Sequence, residues 1–437
     1  MAQGLYADPL DSSYALEKTN SRSWLIVLIA ALFSFYEFLQ MNMFDSISTS
    51  LMHAFNVDAA KLGLLSSFYF IANVVFLVVA GILLDRFSTR RVILFSLAIC
   101  IIGTALFSSA HSFAWACTFR FLTGIGSAFC FLSIIRLASR WFPPKNMAFV
   151  IGLVLTIAMF GAWVSQTPIA LLAHAFDWRV TLKMDAALGV VVFLFIFAIV
   201  KDFPAEHAAM HEEEQKKIQA IGFFKSLRMA FFRLQNWLVG FYVCFVNLPA
   251  GLLGGLWGVL YLTHTHNISH VHATEVSSML FIGAMIGSPL AGFISDKMGM
   301  RRPPLLVGAL VCLGLISLVM FDATLSFDAL FWIFLLIGIF SYVQVIGYPL
   351  VAENSTRMLT AMSVCVVNIS VQGGSGLFQP IFGYLLDNRM MARAHVLSTH
   401  YLPSDFSWAM LIFPIGFILA ILIVFVLPET HCKQKVE

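Results

Sequence analysis

The sequence predicts an all-α integral membrane protein with twelve transmembrane helices in two pseudo-symmetric halves of six. Three observations lead to this fold class. Of the 437 residues, 60% are apolar and 11% are charged, which is more apolar surface than a water-soluble domain of this size buries. The apolar residues form runs of about 20, the length that crosses a ~30 Å hydrocarbon core as a helix. A charged phrase also occurs twice, about half the chain apart.

The charged phrase ends the second predicted helix of each half. The first copy, residues 81–91, reads Gly-Ile-Leu-Leu-Asp-Arg-Phe-Ser-Thr-Arg-Arg, and the second, residues 292–302, reads Gly-Phe-Ile-Ser-Asp-Lys-Met-Gly-Met-Arg-Arg. The glycine, the acid and the paired arginines keep the same spacing in both copies. The same loop at the same place in two halves is typical of a membrane carrier built from an internal repeat.

The N-terminal half covers residues 24–200. It follows a polar tail, residues 1–23, that lacks the apolar core and cleavage site of a signal peptide. Each of its six helices is an apolar run of spanning length, and none alternates polarity as barrel strands do. In chain order, the helices are predicted at residues 24–53, 60–84, 91–111, 114–140, 147–174 and 180–200.

A linker, residues 201–234, joins the halves and carries a charge run that includes Glu212, Glu213, Glu214, Lys216 and Lys217. Such a solvated run predicts an amphipathic tether helix, with a regulatory site as the alternative. The C-terminal half covers residues 235–428, and residues 429–437 form a second tail. Its apolar runs predict helices at residues 235–263, 273–295, 303–321, 327–351, 358–385 and 406–427.

The placement of lysine and arginine orients the bundle. An even number of helices puts both termini on one side, and most of the 26 Lys and Arg residues fall on that side. Because positive loops are retained in the cytoplasm, we expect both tails and the linker to be cytoplasmic. We expect the membrane to be a bacterial inner membrane.

Composition and motifs exclude several classes of function. The net charge is only +3 and no basic stripe is present, so a nucleic-acid partner is not expected. The seven cysteines form no CxxC pair, and no HExxH or GxSxG sequence occurs, so we expect no enzyme activity, cofactor or bound metal. Four histidines within residues 264–272 predict a flexible loop, with zinc binding or pH sensing as the alternative.

The repeated phrase resembles motif A of the major facilitator superfamily, G-x-L-x-D-R-x-G-R-R/K, which follows the second helix and is echoed after the eighth. The first copy departs from the motif at Ser88, where the family has glycine, and the second keeps Gly299. The resemblance implies a gating role, because the glycine lets helices of opposite halves touch and the aspartate faces a helix N-terminus. The residues carried over are Gly81, Asp85, Arg86, Arg90, Arg91, Gly292, Asp296, Arg301 and Arg302.

Further phrases narrow the resemblance. The spacing Arg120-x-x-x-Gly124-x-Gly126 resembles motif B, an intramembrane arginine linked in many members to proton coupling or substrate charge. Residues 140–144, Arg-Trp-Phe-Pro-Pro, resemble the loop after helix four in the anion:cation symporter-like branches. The proline-containing motif C of antiporters is absent from helix five. Residues 36–38, Tyr-Glu-Phe, with the first motif A copy, resemble phagosomal-type nutrient carriers and lysosomal dipeptide carriers.

Glu37 and Arg120 are ionisable residues expected at bilayer depth. At ~1.5 Å per helical residue, both fall ~9 Å inside one edge of the hydrocarbon core. A charge there is costly unless it is paired or wetted, so the two are our candidates for substrate and proton coupling. We expect protonation of Glu37 to free the Arg120 guanidinium for a substrate carboxylate. A permanent ion pair that fixes two helices, or no contact at all, are the alternatives.

Polar and aromatic side chains supply the rest of the expected cavity lining. In the C-terminal half they predict a hydrogen-bonding wall for a small solute with polar and apolar parts. Core or lipid-belt packing is the alternative for each aromatic residue. Asp45 and Asp185 are instead expected to form local pairs at the outer rim. The lining candidates are Tyr36, Gln40, Asn247, Trp257, Tyr261, Tyr342, Gln344, Tyr348, Asn368 and Gln372.

These residues and the resemblance together predict a secondary active transporter that works by alternating access. The expected cargo is a small carboxylate-bearing solute, such as an amino acid, a short peptide or an organic acid, moved by symport with protons. An efflux antiporter for amphipathic compounds is one alternative, and a membrane enzyme or a receptor-like protein is the alternative of another class. The expected partners are the solute, protons and the lipid bilayer, and the resemblance implies a monomer.

Overall fold

A computed structural model describes residues 21–142, 146–203, 229–355, 360–394 and 401–432 of the chain. Within these ranges the protein is almost entirely helical and contains no strand. The predicted linker helix and most of both tails lie outside the described residues. The described helices form twelve spans: α1 Ser21–Phe55, α2 Ala59–Arg86, α3 Thr89–Ser108, α4 Phe113–Trp141, α5 Met147–Val164 with Thr167–Phe176, α6 Trp178–Ile199, α7 Leu234–Val246 with Pro249–Thr265, α8 His270–Met298, α9 Arg302–Phe321, α10 Phe327–Glu353, α11 Thr360–Ala394 and α12 Pro403–Val426.

Length and composition identify these spans as transmembrane. Among the described residues, 10 helices are long and apolar enough to cross a bilayer, and the bent pair in α7 makes 11. The twelfth is α11, which has 35 residues but a lower hydropathy, because amides, serines and glycines interrupt its apolar run. The predicted fold class of twelve helices in two halves is confirmed.

The predicted helix boundaries agree with the structure to within a few residues, except at the end of α11. This helix was expected to end at residue 385 but continues to Ala394. The extra turns are stabilised by contacts outside the helix: Asp387 accepts hydrogen bonds from the start of α2, and Arg393 pairs with Asp405 at 2.9 Å. Tertiary partners therefore lengthen the helix beyond its apolar run.

Several spans that were predicted as continuous are broken near their centres. α7 bends by 45° where a π-helical stretch, Pro249–Trp257, interrupts it. Pro249 removes one backbone donor there, and glycines within the stretch allow the wider turns. α10 contains a 3-10 turn, Tyr342–Ile346, at a similar place in its course. Breaks of this kind leave backbone groups free to bond to other helices.

We name the two ends of the bundle by their loops. The basic face holds the turns at residues 87–88 and 299–301, and the opposite face holds the turns at residues 56–58, 109–112, 266–269 and 322–326. Helices α1–α6 form one half and α7–α12 the other, and α2 packs against α11 along the boundary.

The halves are closely packed toward the opposite face. A Cβ atom on Gly63 of α2 would lie 2.6 Å from the Pro380 Cα of α11, so only glycine permits this approach. Gln166 of α5 also donates to the Gly254 carbonyl of α7 at 2.8 Å. Nearer the basic face, a gap lined by Gly81 of α2 and by Cys365 of α11, among others, separates the same two helices. The described conformation is therefore closed on the opposite face.

Candidate functional site

The centre of the N-terminal half holds the two residues predicted for coupling. Glu37 of α1 is 5% exposed and accepts a hydrogen bond from the Tyr69 hydroxyl of α2 at 3.1 Å. Arg120 of α4 is 2% exposed, and its Nη1 donates to the backbone carbonyl of Gln40 at 2.9 Å. Its guanidinium lies over the rings of Phe44 and Tyr69, 4.0 and 4.5 Å from their centroids. Two aromatic faces and one backbone carbonyl thus stabilise the positive charge of Arg120.

The expected ion pair between Glu37 and Arg120 is not formed among the described contacts. Each side chain has another partner, because Tyr69 reaches between them and offers its hydroxyl to the acid and its ring to the base. The Nε and Nη2 atoms of Arg120 are buried without a hydrogen-bond partner. Buried donors are nearly always bonded in native proteins, so these two nitrogen atoms are available to a water molecule or to a solute.

A small cavity lies beside the guanidinium. It is lined by polar groups of Gln40, Thr104 and Arg120 together with apolar side chains of α1, α3 and α6. The space open to the centre of a water molecule is about 10 Å³, the room that a single water needs. In this conformation the site is occluded, and a solute would need the helices around it to separate.

Asp185 of α6 completes the cluster, and its expected place at the rim is wrong. It is 4% exposed and accepts a hydrogen bond from Gln40, whose own Oε1 accepts from Thr104 at 3.0 Å. Its Oδ1 has no hydrogen-bond partner, and neither has the buried Tyr36 hydroxyl. Lys183 cannot pair with it, because residues two apart on a helix point to different sides. The position of Asp185 inside an apolar run was the sequence feature that could have identified it as a site residue.

The candidates of the C-terminal half separate into two groups. Trp257 and Tyr261 are fully buried, and their polar atoms donate to backbone carbonyls of the same half, Gln379 at 3.1 Å and Val319 at 2.9 Å. The others lie partly exposed or near the boundary between the halves. Gln344 donates to the Asn247 Oδ1 at 2.7 Å and leaves its own Oε1 unbonded. The partly exposed members are Asn247, Tyr342, Tyr348, Asn368 and Gln372.

The second copy of the repeated phrase lies at the basic face. Arg301 forms ion pairs with Asp296 at 2.7 Å and with Glu353 at 2.5 Å. Although partial burial acts to lower it, these two carboxylates raise the pKa of Arg301 above its ordinary value. Gly292 faces open space, and the side chain of Asp85 in the first copy lies outside the described residues. The gating role of these residues stays a prediction.

The chemistry available at the centre is charge recognition and proton exchange. One guanidinium with two free donors lies among two carboxylates, amides and hydroxyls, all within lipid-crossing helices. No group of three or more metal-binding side chains occurs among the described residues.

The profile of the Major Facilitator Superfamily matches residues 30–378. The chain belongs to the major facilitator superfamily.

Relatives of this major facilitator are transporters from bacteria and animals. It is 22% identical to the probable galactarate/D-glucarate transporter GudP of Escherichia coli, over 85% of this chain and 88% of that protein. It is also 22% identical to the hexuronate transporter of Bacillus subtilis, over 55% of this chain and 56% of the other. The lysosomal dipeptide transporter MFSD1 of Danio rerio is 25% identical, over 58% of this chain and 57% of its own length. This major facilitator is therefore a secondary transporter and not an enzyme.

Solved structures share its fold. A bacterial homologue of the human lysosomal transporter Spinster, in an inward-facing and occupied conformation, superposes with a TM-score of 0.72 at 16% identity, covering 94% of this chain and 97% of that one. A D-xylose-proton symporter superposes with a TM-score of 0.75 at 13% identity, covering 95% and 100%. Both likenesses extend over the two halves of this major facilitator.

Proposed function

We propose that this major facilitator is a proton-coupled symporter for a small polar organic solute that carries a carboxylate. The observation that supports the proposal most directly is the Arg120 guanidinium. It is buried, two of its nitrogen atoms have no hydrogen-bond partner, and it lies in the half that also buries Glu37 and Asp185. A planar guanidinium with two free donors matches a carboxylate in a bidentate geometry.

In the proposed cycle, the solute carboxylate and a proton enter the N-terminal cluster together. The solute brings a negative charge to Arg120, and the proton neutralises Glu37, so that the net charge of the buried site does not change. Binding both is then less costly than binding either alone, because an extra uncompensated charge would have to be buried. This interdependence is what couples the two flows.

The names of the relatives support a carboxylate-bearing cargo. Galactarate, D-glucarate and hexuronates are sugar acids, and a dipeptide ends in a carboxylate. The partly exposed amides and phenols of the C-terminal half, such as Asn247, Asn368 and Tyr348, supply hydrogen bonds for the rest of such a solute.

We place the basic face in the cytoplasm, because positive loops are retained there. The opposite face is then the outer face, and the described conformation is closed to the outside. The membrane in this proposal is a bacterial inner membrane, and the protein works as a monomer.

The test is a thermal-stability screen of the purified protein with D-glucarate, galactarate, D-glucuronate, dipeptides, D-xylose and hydrophobic cations, at acidic and at neutral pH. A ligand that binds the folded state raises its melting temperature in proportion to the logarithm of its concentration. We expect a shift for one carboxylate-bearing class, larger at acidic pH. Uptake of that solute into proteoliposomes should then follow an inward proton gradient.

Two variants locate the site. Arg120→Ala should abolish the stabilisation, whereas Arg389→Ala, which removes an exposed arginine of α11, should keep it. Glu37→Gln should keep exchange of labelled for unlabelled solute but lose uptake driven by a proton gradient. Stabilisation by hydrophobic cations alone would instead support efflux, and stabilisation that survives in Arg120→Ala would place the carboxylate elsewhere.

A further inference from the structure

Asp45 of α1 is buried at the contact between the halves and has no place in the cluster described above. It is 0% exposed. Its Oδ1 accepts a hydrogen bond from the backbone N–H of Val259 in α7 at 2.9 Å, and its Oδ2 lies 2.7 Å from the Ser277 hydroxyl of α8. Both partners belong to the other half. Its expected pairing at the rim is therefore wrong, because α7 and α8 cover it.

The break in α7 supplies one of these partners. The π-helical stretch runs directly into the α-helical segment Gly258–Thr265, and the N–H of Val259 lies in the first turn of that segment. Asp45 accepts a hydrogen bond from this N–H. The contact thus depends on the closed arrangement of α1 against α7.

The two contacts fit an ionised carboxylate if the Ser277 hydroxyl donates, and a neutral carboxylic acid if that hydroxyl accepts. Such an acid offers one oxygen that accepts and one O–H that donates. The Val259 N–H can only donate, whereas the Ser277 hydroxyl can donate or accept, so each finds its complement. An ionised carboxylate would have only neutral donors here, the Ser277 hydroxyl and the backbone N–H groups of Val259 and Gly258, and burying a charge with no charged partner is costly.

Among the described contacts, no positively charged side chain compensates a negative charge on Asp45. On α1, Glu37 is bonded to Tyr69. On the α7 segment, Tyr261 donates to Val319, and His264 stacks on Phe406 with ring centroids 6.1 Å apart. On α8, the titratable pair nearest to Ser277 is bonded within itself, His272 to Glu275 at 2.9 Å.

We propose that Asp45 is a proton-binding residue of the gate at the opposite face, and that this face closes only when Asp45 is neutral. When the face is open, Asp45 meets water on that side and ionises. One proton is bound when the face closes and released when it opens, so acid on that side favours closure. The inference deepens the proposed proton coupling by adding a site in the gate, separate from Glu37 and Arg120.

Asp387 is a second buried acid on the same face. Its carboxylate accepts from the backbone N–H groups of Ala59 and Ala60 at 3.3 and 2.7 Å and from the Tyr401 hydroxyl at 2.7 Å. Two N–H groups at the start of α2 suit a negative charge, since the helix N-terminus carries a partial positive charge. The nearby acid Asp58 pairs with Lys61 at 3.5 Å.

The test measures the width of the opposite face by double electron–electron resonance in nanodiscs. Spin labels are placed at His111 and Thr324, exposed positions in opposite halves, in a background whose native cysteines are replaced. A second pair, at Ser139 and Lys297, reports on the basic face. Between pH ~5 and ~8, we expect the ratio of open to closed opposite face to rise about tenfold or more.

The variants decide which acid is responsible. Asp45→Asn keeps an acceptor for Val259 and a donor for Ser277, so it should stay closed at every pH. Asp58→Asn, which removes a more exposed acid of the same face, should keep the pH response of the wild type. A wild-type distance that does not change with pH, or an Asp45→Asn protein that still opens at high pH, overturns the inference. Because no solute is used, this result is independent of whether the cargo is a carboxylate.

Discussion

Tyr69 serves both charged residues at the centre of the N-terminal half. Its hydroxyl donates to Glu37, and its ring forms one of the two π faces that hold the Arg120 guanidinium. Such a guanidinium is stabilised without a counter-ion, which keeps its other donors available. The residue was not among the site candidates, because a tyrosine in an apolar run looks like a packing residue from sequence alone.

Removal of the Tyr69 hydroxyl separates these two contacts. We expect Tyr69→Phe to lower the free energy of unfolding by about 1–3 kcal/mol, because a buried acid loses its donor while the ring under Arg120 stays. The melting temperature in detergent, compared with the wild type, measures the loss. Tyr261→Phe, which removes a hydroxyl bonded to the neutral Val319 carbonyl, is the matched control and should cost about 1 kcal/mol. Equal stability of Tyr69→Phe and wild type would contradict the assignment.

An acid that follows the last helix of each half caps the third helix of that half. Asp202 accepts from the Arg90 backbone N–H at 2.9 Å at the start of α3. Glu429 accepts from the backbone N–H groups of Arg301 and Arg302, both at 2.8 Å, at the start of α9. The internal repeat therefore includes a partner for the charged phrase. The sequence did not reveal it, because the acid and the phrase are far apart in the chain.

Glu429 should make the stability of the protein depend on pH. Although partial burial acts to raise it, backbone N–H donors hold the pKa of Glu429 below its ordinary value. Its contribution is complete above the ordinary value of about 4.3 and is lost as the pH falls through the lower, folded-state pKa. We expect Glu429→Gln to melt at a lower temperature at pH 7, and the difference from wild type to shrink in acid. Thermal unfolding across pH checks this.

Glu275→Gln is the control for that experiment, because Glu275 is partly exposed and pairs only with His272. We expect it to change the melting temperature little at any pH, as surface pairs contribute little. A Glu429→Gln protein whose deficit persists at the lowest pH would show that the side chain acts by packing and not by its charge.

The position of a helix was predictable where the local sequence alone determines it. Spanning length and apolar composition located all twelve helices, since lipid imposes both on any segment that crosses it. The π-helical stretch of α7 and the extension of α11 were not predictable, because contacts with other helices determine them. The burial of Asp45 was not predictable for the same reason. Its burial comes from α7 and α8, which lie about half the chain away.

At the scale of the whole molecule, the closed face depends on backbone-to-backbone contact between α2 and α11. A Cβ atom on Gly63 would lie 2.6 Å from the Pro380 Cα and 2.7 Å from the Gln379 carbonyl oxygen. A Cβ on Gly383 would likewise lie 2.3 Å from the Ala59 oxygen. Backbone atoms cannot move aside as flexible side chains do, so the contact tolerates no larger residue.

Gly63→Ala should therefore oppose closure. We expect overpacking to disfavour the closed face by about 1–3 kcal/mol, which corresponds to a gain of roughly 5- to 150-fold in the ratio of open to closed protein. The spin-label pair at His111 and Thr324 measures it. Gly314→Ala is the matched control, because a Cβ there meets nothing within 4 Å. A closed population unchanged by Gly63→Ala would mean that α2 and α11 do not determine closure.

The low hydropathy of α11 has a consequence for how the protein is made. A helix interrupted by amides, serines and glycines partitions weakly from the translocon into lipid on its own. α11 packs against α2, which is synthesised much earlier. The packing surface on α2 is therefore already in the bilayer when α11 emerges from the ribosome. The order of the two halves in the gene therefore favours the insertion of α11, and a C-terminal half made alone would offer α11 only the surfaces of α7, α10 and α12.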